Sequence, residues 1–510
     1  MEKFDLCVIG AGPSGYAAAM RGLDFGKRVL LIEKNRLGGA GIWNGALSSK
    51  TLWELSEAFK VTRSTNKGFV VYDSEIHYQD VIGEMRRAVN ERHAQLKEQV
   101  EVLERQADLT FMQGRAELVG KNEVSVELED GSTKNFEADN IIIAIGSRPR
   151  YLSNIPIDEK VIVTSDGISS FEDFPKSIVI LGAGVIGCEF ATIFSNFGKT
   201  KVYLIDKQDR ILPFEDEDIS RNVAQNLEAN GVTIHRNSSL KEMIQVDGKV
   251  QYTILCEDGR EEIYTVEKAL VSVGRVPNVE NVGLDRVGME LDTRGYAVDN
   301  ETQTSISNIY AVGDFTADIA LVNIAEMEGR FAVERIYSQK PTPMTYENIS
   351  TIMFLNPEVA GVGMNEIQAR RKGIAYRCAK MPYKLVGRAI AQRNTTGFFK
   401  ILVTDDEEMR ILGMRAMGNH ASSTIEAMAL LIKKKMGIHE LAELVHPHPS
   451  IVEGIMSCAR MLLGSSIMKP SVFHRDMSCY RVSAQGKIDN LFEGKESLNR
   501  NELKPQDAEG

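Results

Sequence analysis

Short apolar runs alternate with amphipathic segments through much of the chain. Apolar runs of roughly 4–8 residues between turn residues are typical of strands buried in a parallel sheet, whereas a 3.6-residue period indicates a helix packed on that sheet. The pattern predicts a strand, a helix and a strand at 4–9, 16–25 and 28–32, and the same order again at 177–181, 188–197 and 202–205. The chain is therefore predicted to be α/β, with one strand–helix–strand unit present twice.

A glycine-rich turn joins the first strand to its helix. Gly10 permits the tight turn, Gly12 lets the backbone approach a pyrophosphate, and Gly15 lets the helix pack closely on the strand. The free N–H groups at the helix start favour phosphate. Glu33 ends the second strand, where a carboxylate can accept hydrogen bonds from ribose hydroxyls. These features together predict a Rossmann-like dinucleotide-binding domain.

The second unit has the same turn, with Gly182, Gly184 and Gly187 in the three glycine positions and Asp206 at the end of its second strand. Two such units in one chain predict two bound dinucleotides. A carboxylate at Asp206 would repel a 2′-phosphate, which favours NAD over NADP. Lys207 follows directly and keeps NADP open as the alternative.

Composition and charge exclude several classes of protein. The chain has 510 residues and a net charge of −11, which argues against a broad electrostatic contact with nucleic acid or an anionic membrane. No apolar run approaches the roughly 18–20 residues of a membrane span, and no signal peptide is recognisable at the N-terminus. The six cysteines form no CxxC pair and no metal-binding spacing, so no metal is predicted, and scattered free thiols fit a reducing cytoplasm.

Three further strands end in polar turns, at 141–149, 269–278 and 309–314. In this order with the two glycine turns, they resemble the pyridine nucleotide–disulfide oxidoreductase family, most closely its dihydrolipoamide dehydrogenase and soluble transhydrogenase branches, from about residue 4 to about residue 470. The resemblance implies FAD on the first dinucleotide unit and the nicotinamide nucleotide on the second. It also implies that Asp314 binds the ribityl chain of FAD.

The resemblance places a Lys50–Glu189 pair beside the flavin N5, where hydride passes from nicotinamide to flavin. Breaking such a buried pair would cost about 3–5 kcal/mol. The positions expected to bind FAD are Gly10, Gly12, Pro13, Ser14, Gly15, Glu33, Lys34, Gly39, Lys50, Ala144, Gly146, Gly313, Asp314 and Ala325. Those expected to bind NAD are Gly182, Gly184, Val185, Ile186, Gly187, Glu189, Asp206 and Gly274.

The chain departs from the family's pattern in the segment Gly38–Lys50. Disulfide-reducing members carry two cysteines, separated by four residues, between a Gly-Gly pair and a Ser-Lys pair. This sequence keeps both flanking pairs but has Gly41 and Ala46 at the two cysteine positions. Neither residue can form a thiolate or exchange with a disulfide. The usual relay from flavin to enzyme disulfide to substrate therefore lacks its middle carrier.

The segment 446–453 resembles the family's closing motif, in which His448 would be the acid/base and Glu453 the carboxylate that orients it. In family members this motif reaches the active site of the other subunit, so a homodimer is implied. Two hypotheses remain open for His448. It donates a proton to an acceptor reduced directly by flavin, such as a quinone, or it is an interface histidine with no catalytic role.

The resemblance also predicts a division of the chain. The expected parts are a first FAD-binding segment at 1–152, an NAD(P)-binding domain at 153–274, a second FAD-binding segment at 275–344, an α+β dimerisation domain at 345–470 and a C-terminal extension at 471–510. A long polar helix is expected at 78–107 and an amphipathic helix at 421–433. The polar composition from Gly486 onward predicts a mobile end.

These observations predict a homodimeric, FAD-dependent enzyme that takes hydride from NAD(P)H and passes electrons to a small-molecule acceptor other than a disulfide. A quinone, a dye or a second pyridine nucleotide would qualify. One alternative is dihydrolipoyl dehydrogenase activity through a thiol outside the usual motif. The other is a non-catalytic flavoprotein scaffold or redox sensor.

Overall fold

The computed structural model describes residues 1–63, 68, 71–316 and 319–491. The chain divides into two compact units. The first comprises Met1–Ser64, Val70–Lys207 and Ser238–Met344, and the second Thr65–Phe69, Gln208–Asn237 and Thr345–Gly510. The five-part division expected from the sequence remains a prediction. None of the helices in the described part of the chain is long and apolar enough to cross a membrane.

The first unit contains a largely parallel sheet centred on the strand Glu2–Ile9, whose Leu6, Cys7 and Val8 are fully buried. This strand pairs in parallel with Val29–Glu33 on one side and with Thr133–Ile143 on the other. The strand order is Asp299–Asn300, Gln303–Thr304, Ile309–Ala311, Thr133–Ile143, Glu2–Ile9, Val29–Glu33 and Leu109–Gln113. The strand Glu123–Glu127 pairs antiparallel with Thr133–Ile143, and Arg115–Leu118 pairs antiparallel with Glu123–Glu127.

A second parallel sheet of the same unit holds the second glycine turn. Its strands lie in the order Lys201–Ile205, Ser177–Leu181, Lys268–Val271 and Ile162–Val163. Antiparallel strands Ser239–Val246, Lys249–Leu255 and Glu261–Val266 form a separate small sheet, and Ser147–Pro149 pairs with Arg275–Pro277. The predicted pair of strand–helix–strand units is thus present, and the α/β fold class is confirmed.

The helices of the first unit follow the predicted pattern with small changes at their ends. The long polar helix runs from Tyr78 to Gln106 and buries one stripe of apolar residues, as the sequence predicts. The first dinucleotide helix begins at Pro13, three residues earlier than expected. The α-helices of this unit are Pro13–Asp24, Gly39–Ile42, Ala46–Thr62, Tyr78–Gln106, Val185–Phe197 and Val322–Tyr337, and 3-10 turns occur at Ile168–Ser170 and Gly313–Phe315.

The second unit is built on an antiparallel sheet with the strand order Ser350–Met353, Val359–Gly363, Ile411–Met417, Phe398–Thr404, Tyr376–Pro382, Ser478–Val482 and Ile488–Asn490. The expected helix 421–433 is shorter. A 3-10 turn occupies Ala421–Thr424 and the α-helix runs over Glu426–Lys433. The remaining elements are helices Glu217–Ala229, Glu366–Arg371, Gly387–Ala391, Ile438–Ala442 and Glu453–Leu462, the 3-10 turn Tyr383–Leu385 and the strand Thr233–His235.

The C-terminal extension is not a loose tail over its described part. The strand Ser478–Val482 pairs along Tyr376–Pro382, which places Tyr480 opposite Cys378. Within the end that the sequence predicts to be mobile, Ile488–Asn490 forms the outermost strand of the sheet. Mobility from Gly486 onward stays a prediction. Tertiary pairing overrides their polar composition. Residues 492–510, which the same prediction covers, lie outside the described residues.

A buried cluster of charges, here called the Lys400 cluster, lies within this second unit. The side chain of Lys400 is 1% exposed, and its Nζ lies 3.0 Å from Asp216, 2.6 Å from Asp218 and 2.9 Å from Glu366. Tyr480 of the C-terminal extension donates a hydrogen bond of 2.9 Å to Glu366. The extension therefore contributes a polar partner to the interior of this unit.

The charge balance of the Lys400 cluster is visible in its pKa values. Burial would lower the pKa of Lys400, but the three carboxylates raise it well above its usual value. Burial would raise the pKa of Asp218 and of Glu366, but the Lys400 ammonium holds both below their usual values. For Asp216 burial prevails, and its pKa is raised. The Lys400 ammonium thus favours the ionised form of Asp218 and Glu366.

Candidate functional site

The first glycine turn has the geometry of a pyrophosphate cradle. Gly10 has a φ of +102°, and a Cβ there would lie 2.3 Å from the carbonyl oxygen of Ala144. A Cβ on Gly15 would lie 1.8 Å from the carbonyl oxygen of Gly10, so the helix and the strand pack without room for a side chain. A Cβ on Gly12 would meet nothing within 4 Å. The backbone at Gly12 is therefore open to a phosphate group at the start of the helix.

The second glycine turn repeats this arrangement. A Cβ on Gly182 would lie 2.6 Å from the carbonyl oxygen of Ser272, and a Cβ on Gly187 would lie 1.9 Å from that of Gly182. Gly184 again faces open space. The Ser272 hydroxyl donates hydrogen bonds to Leu181 and Gly182 and so holds the strand end and the turn together. The sequence analysis did not select Ser272, because a serine after a buried strand has no distinctive signal.

Each turn is fixed by the acid that ends the second strand of its unit. Glu33 accepts a 2.7 Å hydrogen bond from the Ala11 amide through Oε2, and its other oxygen accepts one from Asn35. Asp206 accepts a 2.7 Å hydrogen bond from the Ala183 amide through Oδ2. Both acids thus lie beside their glycine turns, where the ribose next to a pyrophosphate would be. The residues present fit two dinucleotides.

The turn after the strand Ile309–Ala311 is built around Asp314. The Ser147 hydroxyl donates a 2.6 Å hydrogen bond to Asp314, and the Arg275 guanidinium lies 3.7 Å from the same carboxylate oxygen. The Gly313 amide donates a 2.7 Å hydrogen bond to the carboxylate of Glu328, a residue that is 1% exposed. Ser147, Arg275 and Glu328 are not among the site residues that the sequence predicts. A glutamate on the apolar face of a helix is the one signal that could have indicated Glu328.

Lys50 and Glu189 meet as the sequence predicts. Lys50 lies in the first turns of the helix Ala46–Thr62, and Glu189 lies one turn into the helix Val185–Phe197. The Lys50 ammonium is 2.8 Å from Oε2 of Glu189, and the Glu189 side chain is 6% exposed. The pair joins a residue from the segment of the missing cysteines to a residue that follows the second glycine turn.

The segment that lacks the cysteines packs closely on the first glycine turn. A Cβ on Gly41 would lie 2.7 Å from Cγ of Pro13, so a larger residue there requires the segment to shift. Trp43 anchors the segment on its other side. The indole N–H donates a 3.0 Å hydrogen bond to Leu37, and the ring packs edge-on against His93 at 4.9 Å between centroids. The packing around position 41 therefore suits glycine.

The six cysteines are all free thiols: Cys7, Cys188, Cys256, Cys378, Cys458 and Cys479. All but Cys256 are buried, and burial raises the pKa of each buried thiol, to about 12 for Cys479 and higher for the others. The pKa of Cys256 is raised as well, by the desolvation cost and by nearby Glu262 and Asp258. None of the six environments favours a thiolate.

His448 and Glu453 form the predicted pair within the second unit. Nδ1 of His448 lies 2.8 Å from Oε1 of Glu453, and the Ser450 amide donates a 2.8 Å hydrogen bond to Oε2. Burial would raise the pKa of Glu453, but these hydrogen bonds hold it below its usual value. The His448 side chain is 78% exposed. An ionised carboxylate thus orients an imidazole that is accessible to a proton acceptor or donor.

The remaining predicted positions also group around the two turns. A Cβ on Gly313 would lie 2.7 Å from the Ser14 hydroxyl and 3.5 Å from Ala325, and a Cβ on Gly39 would lie 3.0 Å from Gly12. Val185 and Ile186 begin the second dinucleotide helix. Ala144 contacts the first turn. Gly146 directly precedes the strand Ser147–Pro149, and Gly274 directly precedes its partner strand Arg275–Pro277. Lys34 is an exposed residue directly after Glu33.

Two dinucleotide cradles in one unit, with a Lys–Glu pair whose carboxylate is buried, define a nucleotide-dependent oxidoreductase of the flavoprotein class. The profile described as pyridine nucleotide-disulphide oxidoreductase matches residues 4–329, and that of its dimerisation domain matches residues 349–459. The chain belongs to the pyridine nucleotide-disulphide oxidoreductase family. It is an FAD-dependent oxidoreductase that uses a pyridine nucleotide, and the match to the dimerisation domain supports a homodimer.

Curated relatives and solved structures agree with this assignment. The chain is 33% identical to dihydrolipoyl dehydrogenase of Staphylococcus aureus over 91% of its length and 97% of the relative's. It is 31% identical to dihydrolipoyl dehydrogenase of Chlamydia muridarum, over 92% and 99%. The crystal structure of LpdA from Mycobacterium tuberculosis superposes with a TM-score of 0.83 at 26% identity, covering 91% of this chain and all of that one.

Proposed function

We propose that the protein takes hydride from a pyridine nucleotide onto FAD and passes the electrons to a small-molecule acceptor that is not a disulfide. The observation that carries the proposal is the replacement of both redox cysteines by Gly41 and Ala46, in a segment that otherwise keeps its flanking residues. A quinone, a dye or a second pyridine nucleotide would serve as the acceptor. A cytoplasmic location, suggested by the free thiols, belongs to the same proposal.

In this proposal the two glycine turns hold the two pyrophosphates, Glu33 and Asp206 accept from the adjacent riboses, and Asp314 accepts from the ribityl chain. FAD supplies the two-electron chemistry when bound. Lys50 and Glu189 orient the reacting rings and exclude water from them. With FAD bound, the Lys50 ammonium would supply a fixed positive charge that favours the uptake of negative charge by the cofactor.

Dihydrolipoyl dehydrogenase activity is the second candidate, and two observations favour it. The two curated relatives named above are dihydrolipoyl dehydrogenases, and the match covers nearly the whole length of each. The His448–Glu453 pair also keeps the geometry of an acid/base that serves a thiol. This candidate requires a thiol from elsewhere, and Cys256 is the most exposed of the six. Neither observation supports the third candidate, a non-catalytic scaffold.

An anaerobic titration of the holoenzyme with NADH tests the first proposal. We expect the flavin absorbance to bleach with two electrons per FAD and no long-wavelength thiolate–flavin band, because no thiolate lies in the segment Gly38–Lys50. Uptake of four electrons with such a band would refute it. Turnover is then screened with NADH and NADPH against quinones, dyes, thio-NAD and lipoamide.

The same screen separates the candidates. NAD-dependent oxidation of dihydrolipoamide that is lost in a Cys256→Ser, Cys458→Ala or Cys479→Ala variant would establish the second candidate and refute the first. Retention of quinone or transhydrogenase turnover in all three variants would support the first. Failure to oxidise NADH with any acceptor, despite bound FAD, would favour the scaffold.

The Asp206 carboxylate should determine the choice of coenzyme. We expect Asp206→Asn to lower the ratio of kcat/KM for NADH to that for NADPH by about 10- to 100-fold, because hydrogen bonds to a charged group are worth roughly 1.5–3 kcal/mol and the repulsion of a 2′-phosphate is relieved. Asp209→Asn, an exposed aspartate three residues later, is the matched control. A ratio unchanged by Asp206→Asn would contradict the assignment.

A further inference from the structure

The Lys50–Glu189 pair joins two helices, which are here called the Lys50 helix (Ala46–Thr62) and the Glu189 helix (Val185–Phe197). Each member of the pair is the fifth residue of its helix. Side chains seven residues further along lie on the same face, because seven residues complete almost two turns, about 10 Å along the axis. A second contact at that place would fix the rotation of one helix against the other.

That second contact is present between Glu57 and Asn196. The amide nitrogen Nδ2 of Asn196 donates a 2.6 Å hydrogen bond to Oε1 of Glu57 and a 3.1 Å hydrogen bond to the hydroxyl oxygen of Ser56. Each partner lies seven residues after its counterpart in the Lys50–Glu189 pair. Both contacts therefore join residues 139 positions apart, and they connect two helices that run in the same direction.

Asn196 is buried where the two helices meet. The residue is 1% exposed, and Ser56 is fully buried. The amide donates one hydrogen bond to each of its two acceptors, so both of its N–H groups are used. Glu57 fixes the orientation of the amide, because an ionised carboxylate accepts hydrogen bonds and cannot donate them. The contact is therefore specific for a donor at position 196.

The C-terminal ends of the two helices are also in contact. Nη1 of Arg63, the residue directly after the Lys50 helix, donates a 3.0 Å hydrogen bond to the carbonyl oxygen of Asn196. The guanidinium lies against Gly198, where a Cβ would be 1.7 Å from Nη1. Phe59 and Phe197 pack with 6.3 Å between their ring centroids. A rotation of the Lys50 helix would break these contacts together with the hydrogen bonds of the Asn196 amide.

We propose that Asn196 is a positioning residue for the Lys50–Glu189 pair. With Glu57, it fixes the rotation of the Lys50 helix and therefore the place that the Lys50 ammonium takes relative to the flavin. Backbone hydrogen bonds make the two intervening turns rigid, so a displacement at Glu57 moves Lys50 as well. The inference rests on the proposed role of the Lys50–Glu189 pair in hydride transfer, and it is independent of the electron acceptor.

The test is anaerobic stopped-flow reduction of the holoenzyme by NADH, which gives the rate constant and the NADH dissociation constant separately. We expect Asn196→Ala to lower the rate constant by about 10-fold, a part of the roughly 100-fold that a misplacement of about 1 Å can cost. The dissociation constant should not change, because the second glycine turn lies at the other end of the Glu189 helix. In the Lys50→Met background, Asn196→Ala should have no further effect, because the ammonium that it displaces is absent.

An exchange of side chains protects the test against simple misfolding. Asn196→Asp places a carboxylate against Glu57 and should slow reduction. Adding Glu57→Gln supplies a donor for that carboxylate, so the hydrogen bond forms again in the reverse direction and most of the rate should return. The exchange carries the test if Asn196→Ala does not fold. Asn226→Ala is the matched control and should change neither constant, since Asn226 is half-buried and its side chain donates to the backbone of its own helix.

The outcomes separate positioning from a general structural role. Equal slowing by Asn196→Ala in the wild type and in the Lys50→Met background would overturn the inference, because a loss of structure acts on both. A rate constant that Asn196→Ala leaves unchanged, or no recovery in the exchanged pair, would overturn it as well. If Lys50→Met itself leaves the rate constant unchanged, the proposed role of the Lys50–Glu189 pair fails, which is a different result.

Discussion

Replacing Lys400 by methionine will lower the free energy of unfolding by about 3–5 kcal/mol, the cost of removing one partner from a buried ion pair. The ammonium is the common partner of Asp216, Asp218 and Glu366, and its side chain is 1% exposed. Methionine fills a similar volume but leaves the carboxylates to face one another. The measurement is denaturant unfolding of the holoenzyme followed by circular dichroism.

Lys384→Met provides the comparison for Lys400→Met. Lys384 lies in the same unit, its side chain is 52% exposed, and it pairs with Asp476. Exposed pairs are typically worth less than about 1 kcal/mol, so this variant should unfold close to the wild type. Equal effects of the two substitutions would show that the Lys400 cluster does not stabilise the unit.

Removing the charge of Lys50 should slow flavin reduction by NADH by about 10²–10³-fold, the usual effect of deleting one group that stabilises developing charge. Lys50→Met also leaves Glu189, which is 4% exposed, as a buried carboxylate without its 2.8 Å partner. Stopped-flow absorbance under anaerobic conditions measures the rate constant directly, and the dissociation constant for NADH is obtained from the same series.

Two further variants test whether the effect of Lys50→Met is specific to the Lys50–Glu189 pair. Glu189→Gln should slow reduction less than Lys50→Met, because it keeps the positive charge of Lys50. Lys97→Met, on an exposed position of the helix Tyr78–Gln106, should leave the rate constant unchanged. An unaltered rate constant in Lys50→Met, with FAD still bound, would remove the pair from the proposed hydride transfer.

The proposed function depends on the absence of thiols at Gly41 and Ala46, and the packing around Gly41 agrees with a small residue there. Pro13 lies where a side chain on residue 41 would begin, and Trp43 holds the segment to His93. Position 41 is therefore packed for a small residue. Electrons that reach FAD need an exit other than a disulfide at this place.

Local patterns predicted the two dinucleotide units well, because each depends on neighbouring residues. The strand Ser177–Leu181 lies where the apolar run predicts it, and the roles of Gly10 and Gly182 follow from the tight turns that directly continue their strands. The strands of the C-terminal extension have no such local signal. Ile488–Asn490 is polar by composition, and it becomes a strand only because a distant strand offers an edge.

By itself, the sequence determined the fold class, the two glycine turns and the absence of cysteines at positions 41 and 46, because these depend on neighbouring residues. The Lys50–Glu189 and His448–Glu453 pairs were expected only through the resemblance to the family. Only the tertiary structure decided which carboxylates share Lys400 and that Arg275 and Ser147 hold Asp314. Such contacts join residues more than 30 positions apart, and their geometry arises when strands pair and solvent is excluded, which no periodicity along the chain encodes.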